Sequence, residues 1–142
     1  MKKITIMYIR DSSGIFGAER VILTIAKNIN RALFNIILVC MEEGHGNSKS
    51  LIQKARQFGI PSESVYIQGR FDLRGIAAIR KLIKERGVDI IHTHDYKSNL
   101  YGLLASTHLP VKRVITAHGA TRDSFLKRVY LFIDDSITYR FF

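Results

Sequence analysis

Short apolar runs alternate with segments of helical periodicity along nearly the whole chain. The runs are rich in β-branched residues, have strand length, and lie at 4–9, 34–41, 65–68, 88–92 and 111–117. Between and after them, apolar residues recur at i, i+3, i+4 and i+7, the spacing of one helix face. The helices predicted on this basis cover 18–29, 50–58, 72–87, 97–107 and 121–139. The pattern therefore predicts five strands, each followed by a helix.

The apolar stripes of two helices predict which of their residues pack inward. In the first helix these are Ala18, Val21, Ile22, Ile25, Ala26 and Ile29. In the long third helix they are Leu73, Ile76, Ala77, Ile79 and Ile83. Glycine punctuation supports the predicted ends, since Gly59 follows the second helix and Gly87 the third.

Regular alternation of strand and helix predicts right-handed crossovers and a parallel sheet. We therefore expect one α/β domain over residues 1–142, with a Rossmann-like parallel sheet flanked by helices on both faces. The run 34–41 is nearly all apolar, as expected for a strand covered on both faces. Ligands of such sheets bind beyond the carboxyl ends of the strands. Candidate sites are therefore the loop after the first strand, the segment 92–96 and the segment 118–121.

The composition is that of a globular chain with a strong basic bias. Of 142 residues, 22 are Lys or Arg and 12 are Asp or Glu, which gives a net charge of +10. This balance favours polyanionic partners such as an anionic membrane, phosphorylated substrates or nucleic acid. A nucleic-acid site would interleave aromatic residues with the basic ones, and that pattern is weak, so we expect no nucleic-acid partner. The main basic cluster is Arg70, Arg74, Arg80, Lys81, Lys84 and Arg86.

That basic cluster is typical of a solvated helix face. A membrane-surface role would need the face to be continuous, with apolar residues at its rim. No apolar run approaches the ~20 residues of a membrane-spanning helix. The single cysteine, Cys40, excludes an internal disulfide, favours a reducing compartment and lies in an apolar strand, which predicts a core position.

The loop after the first strand reads Gly14-Ile15-Phe16-Gly17-Ala18-Glu19 and leads directly into a helix. Unpaired backbone N–H groups at a helix N-terminus bind phosphate, and glycine lets the phosphate approach closely. The spacing matches neither the dinucleotide pattern G-x-G-x-x-G nor the P-loop. The loop is therefore either a phosphate cradle at Gly14 and Gly17 or a tight turn with Glu19 in the first turn of the helix.

Histidines end the fourth and fifth predicted strands. His92 and His94 share a strand face, which suggests a metal, but the further ligands of a dinuclear site are missing and we predict none. We expect one of them to be packed or hydrogen-bonded and the other to reach the cleft. His118 can donate to an anionic or hydroxyl-rich ligand, and Gly119 permits close approach.

Three motifs stand in order at the ends of strands. They are Gly17-Ala18-Glu19-Arg20-Val21-Ile22-Leu23, then Asp89-Ile90-Ile91-His92-Thr93-His94-Asp95-Tyr96 with Ser98, Asn99 and Gly102, and finally Thr116-Ala117-His118-Gly119. Together they resemble the N-terminal domain of glycosyltransferase family 4, the retaining transferases of GT-B fold, over nearly the whole chain. Many members have two adjacent glycines where this chain has Phe16-Gly17. The resemblance implies one half of a GT-B fold.

The resemblance also implies roles for individual residues. In this family the glycine loop approaches the donor diphosphate, which implies that Gly17 and Gly14 bind it here. The histidine matching His118 lies beside the transferred sugar, so His118 is the expected catalytic residue. The segment matching His94-Asp95-Tyr96 helps to line the acceptor side, and we expect Gly119 to join it. No cofactor and no metal are expected.

The family's second domain, which binds most of the nucleotide sugar, has no counterpart in the chain. We therefore expect a truncated or excised acceptor-side domain that lacks its last strand and is inactive alone. The resemblance implies that the full enzyme transfers a sugar from a nucleotide-diphosphate sugar to an acceptor hydroxyl with retention, in polysaccharide or glycolipid assembly. The basic charge favours a lipid-linked or phosphorylated acceptor. We expect the protein to be cytoplasmic and to contact the inner face of the membrane.

Two other classes of function stay open. One is a non-catalytic basic module that docks on an anionic membrane or on a partner subunit that supplies the donor-binding domain. The other is a flavodoxin-like phosphate-binding domain. Against the flavodoxin-like domain, the sequence shows neither an acidic cluster for phosphorylation nor an aromatic-flanked flavin loop.

Overall fold

The computed structural model describes residues 2–11, 14–44, 48–69 and 71–116. The strands within these ranges are β1 (Ile4–Asp11), β2 (Phe34–Glu42), β3 (Ser62–Tyr66), β4 (Ile90–Thr93) and β5 (Lys112–Ile115). The helices between them are α1 (Gly17–Asn28), α2 (Ser48–Gln57), α3 (Leu73–Glu85) and α4 (Tyr96–Ser106). The predicted alternation is confirmed over this part of the chain. The predicted helix at 121–139 lies outside the described residues.

The strands form one parallel sheet in the order β3-β2-β1-β4-β5. β1 lies at its centre, where Ile6 stands opposite Ile36 of β2 and Ile90 of β4. From β1 the chain moves outward through β2 to β3, then returns across the sheet to form β4 on the other side of β1. The predicted Rossmann-like α/β fold is confirmed.

Side chains of β1 alternate between two hydrophobic cores, one on each face of the sheet. Met7 and Ile9 pack with α3 and α4, whereas Tyr8 packs with α1 and α2. Cys40 is fully buried in the second of these cores, as predicted. Burial raises the pKa of its thiol to about 12, because a thiolate would lose its hydration there.

Helix ends follow the predicted signals. The side chain of Asp72 accepts a hydrogen bond from the Arg74 N–H at 2.8 Å and so caps α3. Gly59 and Gly87 follow α2 and α3 with φ of 67° and 56°, the left-handed conformation that favours glycine after a helix. No helix in the described ranges is long and apolar enough to cross a bilayer.

The predicted inward positions are wrong for four residues. Leu73 is 71% exposed, Val21 43% and Ile25 39%, and Ala77 is also exposed. Each helix contacts the sheet through a face narrower than its apolar stripe, which leaves the margins of the stripe in water. Leu73 also stands in the first turn of α3, at the edge of the sheet rather than over its middle.

The bounds of the outer strands also differ from prediction. β3 begins at Ser62 rather than at residue 65, because its first residues are polar and an edge strand need not be apolar on both faces. The Ser62 hydroxyl is buried and donates to the Ile60 carbonyl at 2.8 Å, which satisfies it locally. β4 covers Ile90–Thr93 instead of 88–92, and β5 covers Lys112–Ile115, shorter than the predicted 111–117.

Candidate functional site

The reversal of strand order at β1 determines where a ligand cleft is expected. The helix after β1 packs on one face of the sheet, and the helix after β4 packs on the other. In sheets of this kind the loops leaving such neighbouring strands diverge, and the crevice between them at the carboxyl edge is the usual ligand position. The glycine loop follows β1 and the segment His94-Asp95-Tyr96 follows β4, so both lie at this edge on neighbouring strands.

Arg10, near the end of β1, joins the two flanking segments. Its Nε donates to the carboxylate of Glu19 at 2.8 Å, while its Nη1 donates to the His94 carbonyl at 2.9 Å and the Asp95 carboxylate at 3.3 Å. The Glu19 side chain is only 1% exposed. Burial alone would raise the pKa of Glu19, but hydrogen bonds from Arg10 and from the backbone outweigh it and keep that pKa below its ordinary value. Arg10 thus fixes the glycine loop relative to the segment after β4.

The glycine loop turns tightly into α1. Glu19 lies in the first turn of α1, as predicted, and accepts a hydrogen bond from the Phe16 N–H at 2.9 Å. A Cβ atom on Gly14 would lie 2.9 Å from the Phe16 ring, so this ring packs where a side chain would otherwise be. A Cβ atom on Gly17 would meet nothing within 4 Å, so the backbone at the start of α1 faces open space. An anion can approach a helix N-terminus of this kind.

The carboxylate of Asp95 is fully engaged in the fold. One oxygen accepts from the Ser98 N–H at 2.8 Å and caps α4, and the other accepts from the Asp11 N–H at 3.0 Å as well as from Arg10. The neighbouring Tyr96 is 48% exposed and begins α4. Of the predicted acceptor segment, Tyr96 therefore presents an accessible ring. The acceptor roles of Asp95 and Tyr96 stay predictions.

His92 and His94 share one side of the sheet, as predicted. Their rings stack with centroids 4.3 Å apart, and the ring of Tyr8 lies 5.0 Å from one and 5.4 Å from the other. A hydrogen bond of 2.7 Å joins the His92 Nε2 and the Thr116 hydroxyl, which links the ends of β4 and β5. His94 is 1% exposed, so the predicted contact with an acceptor would require its ring to become exposed. Across the described ranges, no three His, Cys, Asp or Glu side chains converge as metal ligands.

A buried lysine, which the sequence analysis did not assign, lies beside the crevice. The Lys97 ammonium is 3.1 Å from the Glu43 carboxylate and 3.7 Å from that of Asp11. Burial would lower the pKa of Lys97, but the two carboxylates outweigh it and raise that pKa above its ordinary value. The pKa of Asp11 is raised, mainly because the carboxyl is buried. The positive charge of Lys97 acts against this rise, and the negative charges of Asp95 and Glu43 add to it. A positive and two negative groups are thus concentrated at the ends of β1 and β2.

The predicted catalytic residue His118 and the predicted acceptor residue Gly119 lie outside the described residues, so their roles stay predictions. The sequence analysis missed Arg10 and Lys97. Arg10 did carry a signal, because a charged residue directly after a buried apolar strand must find a partner or reach the edge of the sheet. Lys97 carried none, since a lysine in the first turn of a helix is usually solvated.

The fold and the crevice together define a Rossmann-like α/β domain with a ligand cleft where its strand order reverses. Such domains serve many chemistries, so the fold alone does not define the function. The sequence model of Glycosyltransferase Family 4 matches residues 15–141. The chain therefore belongs to glycosyltransferase family 4, and the resemblance noted from its motifs is confirmed.

Individual relatives agree with this assignment. The chain is 28% identical over 137 residues to the Escherichia coli UDP-Gal:alpha-D-GlcNAc-diphosphoundecaprenol alpha-1,3-galactosyltransferase. The matched region covers 93% of this chain and 35% of that relative. The structure of the present chain is similar to that of Anabaena Alr3699/HepE in complex with UDP, with a TM-score of 0.75 and 19% identity. The similarity covers 97% of this chain and 36% of the Anabaena chain. The structure is also similar to that of a glycosyltransferase from Rickettsia africae, with a TM-score of 0.69, 20% identity, and coverage of 92% and 34%.

These structural similarities confirm the fold of one half of a GT-B glycosyltransferase. The chain spans only about a third of the length of each of these relatives, 34–36%.

Proposed function

We propose that this chain forms the acceptor-side domain of an enzyme that transfers a sugar from a nucleotide-diphosphate sugar to an acceptor hydroxyl. The transfer proceeds with retention of anomeric configuration, in polysaccharide or glycolipid assembly. The donor-binding domain is supplied by further polypeptide. The relative from Escherichia coli, named for transfer of galactose from UDP-Gal to a GlcNAc-diphosphoundecaprenol, supports a lipid-linked acceptor.

One observation carries this proposal: Arg10 joins the two loops that flank the crevice, and the backbone beside that junction is open. Glu19 and Asp95 anchor the glycine loop and the start of α4 to the same guanidinium. The exposed backbone at Gly17 then lies at a fixed distance from the acceptor segment. A transferase needs this rigidity, because donor and acceptor react only when they are held in register.

The proposed roles follow the layout of the crevice. Gly14 and Gly17 form the turn that approaches the donor diphosphate, with the N-terminus of α1 directed at its negative charge. His94-Asp95-Tyr96 and Gly119 belong to the acceptor side, where His94 contacts an acceptor only after its ring becomes exposed. The exposed Tyr96 ring is suited to pack against a sugar. His118 acts beside the transferred sugar. Electrostatic stabilisation of the departing diphosphate supplies much of the rate.

The experiment that tests this proposal uses the complete natural polypeptide, identified by its intact mass in the source cell. Purified polypeptide is incubated with UDP-sugars and a lipid-linked GlcNAc-diphosphate acceptor, and the anomeric configuration of the product is read by NMR. We expect transfer with retention by the complete polypeptide and negligible transfer by the 142-residue chain alone. An inverted product would refute the retaining mechanism. Sugar transfer by the chain alone would refute the need for a second domain.

A pair of variants in α1 tests the role of the glycine loop. Gly17→Asp places a carboxylate where the diphosphate is expected, and we expect donor kcat/KM to fall at least about tenfold through charge repulsion. An acidic residue in the first helical turn does not threaten the fold. Thr24→Asp adds the same charge to an exposed position farther along α1 and should leave kcat/KM unchanged. Equal losses of kcat/KM in the two variants would show that the diphosphate does not bind at Gly17.

The non-catalytic alternative predicts a different result. If the chain is a basic module that only docks on a partner, the complete polypeptide will transfer no sugar from any nucleotide sugar that is supplied. The same polypeptide would still bind its partner. That outcome would refute the proposed function while leaving the family assignment intact.

A further inference from the structure

Two large apolar side chains stand in water at the start of α3. Phe71 is 54% exposed and Leu73 is 71% exposed. Neither results from a loose loop, because Asp72 between them is anchored on three sides. Its N–H donates to the Tyr101 hydroxyl at 2.7 Å, and its carboxylate accepts from the N–H groups of Gln68 and Arg74. A rigid turn therefore presents both apolar side chains outward.

Basic side chains continue this surface along α3. Arg74, Lys81 and Lys84 are all exposed and lie within about 100° of helix surface, with the exposed Ala77 among them. The opposite side of α3 packs into the core through Ile79 and Ile83, which fixes the direction in which the basic residues point. One acidic residue, Glu85, lies on the margin and pairs with Lys81 at 3.7 Å.

Arg80 does not belong to this surface, although the sequence places it in the same basic cluster. Its guanidinium donates to the carbonyl groups of Ala105 and Thr107 at 3.0 and 2.7 Å, so it ties α3 to the end of α4. Arg86 at the end of α3 pairs with Glu63 and is likewise not part of this surface. The exposed residues Arg74, Lys81 and Lys84 form one continuous stripe. The stripe also has apolar residues at one end, which meets both conditions for a membrane-surface helix.

We propose that this surface, the α3 docking face, binds an anionic phospholipid bilayer. The α3 docking face consists of Phe71, Leu73, Arg74, Ala77, Lys81 and Lys84. Phe71 and Leu73 enter the boundary between headgroups and acyl chains, and the three basic residues contact lipid phosphates. The net charge of +10 makes the whole chain complementary to such a surface. A bilayer fits better than nucleic acid, which would need aromatic residues spaced along the stripe for base stacking.

This inference goes beyond sugar transfer and does not depend on it. The start of α3 follows β3 and therefore lies at the carboxyl edge of the sheet, the same edge as the crevice. Docking through Phe71 and Leu73 would bring that edge towards the bilayer. A bound lipid-linked acceptor would then need to leave the membrane only slightly.

The test is sedimentation of the 142-residue chain with vesicles of phosphatidylglycerol and phosphatidylcholine. We expect salt-sensitive binding to these vesicles and none to pure phosphatidylcholine. Replacing both Phe71 and Leu73 by Ser should weaken binding at least about tenfold, because their apolar area no longer leaves water. Replacing Arg74, Lys81 and Lys84 by Gln should weaken it roughly a hundredfold, from about fivefold per charge near an anionic surface.

Matched controls lie at the opposite, amino-terminal edge of the sheet. Leu33→Ser removes another apolar side chain, 45% exposed, and the set Lys3→Gln, Lys27→Gln and Lys112→Gln removes the same charge. We expect Leu33→Ser to leave vesicle binding unchanged. The triple charge control should weaken vesicle binding less than the triple substitution on α3 does. Circular dichroism melting verifies that each variant is folded.

Three outcomes would overturn the proposal. They are absence of binding to the anionic vesicles, equal losses in the α3 variants and their controls, and tighter binding to duplex DNA that the same α3 substitutions abolish. None of them bears on whether the complete polypeptide transfers sugar, so this inference and the proposed function fail separately.

Discussion

Removal of the Arg10 guanidinium is expected to destabilise the fold more than any exposed ion pair could. Arg10→Met retains the aliphatic part of the side chain but leaves the Glu19 carboxylate, 1% exposed, without its cation. Loss of one partner from a buried ion pair costs about 3–5 kcal/mol, because the remaining charge is desolvated and uncompensated. Since Arg10 is 17% exposed and water can partly replace it, we expect about 3 kcal/mol. In a chain of this size that lowers Tm by about 10 °C.

The effect should depend on pH in a direction set by Glu19. The pKa of Glu19 lies below its ordinary value of 4.5, so the ion pair contributes its full stability above about pH 4.5 and loses it as pH falls through the lower folded value. The difference in unfolding free energy between wild type and Arg10→Met should therefore shrink in acid. At neutral pH it should be constant.

The assay is a double-mutant cycle measured by urea unfolding. Glu19→Gln retains an acceptor for the Phe16 N–H but removes the charge, so Arg10→Met should cost much less in its presence. We expect a coupling free energy of about 1–3 kcal/mol. The exposed pair Lys81–Glu85 is the control, with an expected coupling of about 0.5 kcal/mol or less. A coupling between Arg10 and Glu19 no larger than the control would refute the reasoning.

Three further predictions concern the core. Gly102→Val should destabilise the chain by about 2 kcal/mol, because even a Cβ atom there would lie 2.8 Å from the Thr93 methyl group; thermal melting should show a smaller loss for Gly102→Ala. Tyr101→Phe should cost about 1 kcal/mol in urea unfolding, since its hydroxyl accepts the Asp72 N–H at 2.7 Å, and no loss would mean that water replaces it. The Cys40 thiol, with its pKa raised to about 12, should react with a disulfide reagent at neutral pH only after unfolding, and rapid reaction of the native chain would contradict its burial.

The sequence predicted the inner strands better than the outer ones for a physical reason. β1 and β2 are covered by helices on both faces, so burial leaves a nearly continuous apolar run in each. β3 lies at the edge, where Ser62-Glu63-Ser64 can pair with β2 through backbone atoms without apolar side chains. The inward positions of α1 and α3 were predicted too broadly, because periodicity gives the direction of the apolar stripe but not the width that the sheet covers.

The site was predicted at the level of its location and not of its bonds. Parallel strands present their carboxyl ends at one edge, so the glycine loop and the segment after β4 were expected at the same edge. That they are neighbours follows from the strand order, which the sequence did not predict. The guanidinium that joins them could not be inferred, because Arg10 and Asp95 are 85 positions apart in the chain. The burial of Lys97 between two carboxylates was equally hidden, since its partners Asp11 and Glu43 belong to other loops.

The central position of β1 has a consequence for synthesis of the chain on the ribosome. At about 5–20 residues per second, Asp95 is made about 4–17 s after Arg10. During that interval Arg10 can already pair with Glu19, only nine positions away, and β1 can pair with β2. Its other edge has to wait for β4 and stays an open template for strand pairing. The nascent chain is therefore most prone to associate with another copy in the seconds before β4 emerges.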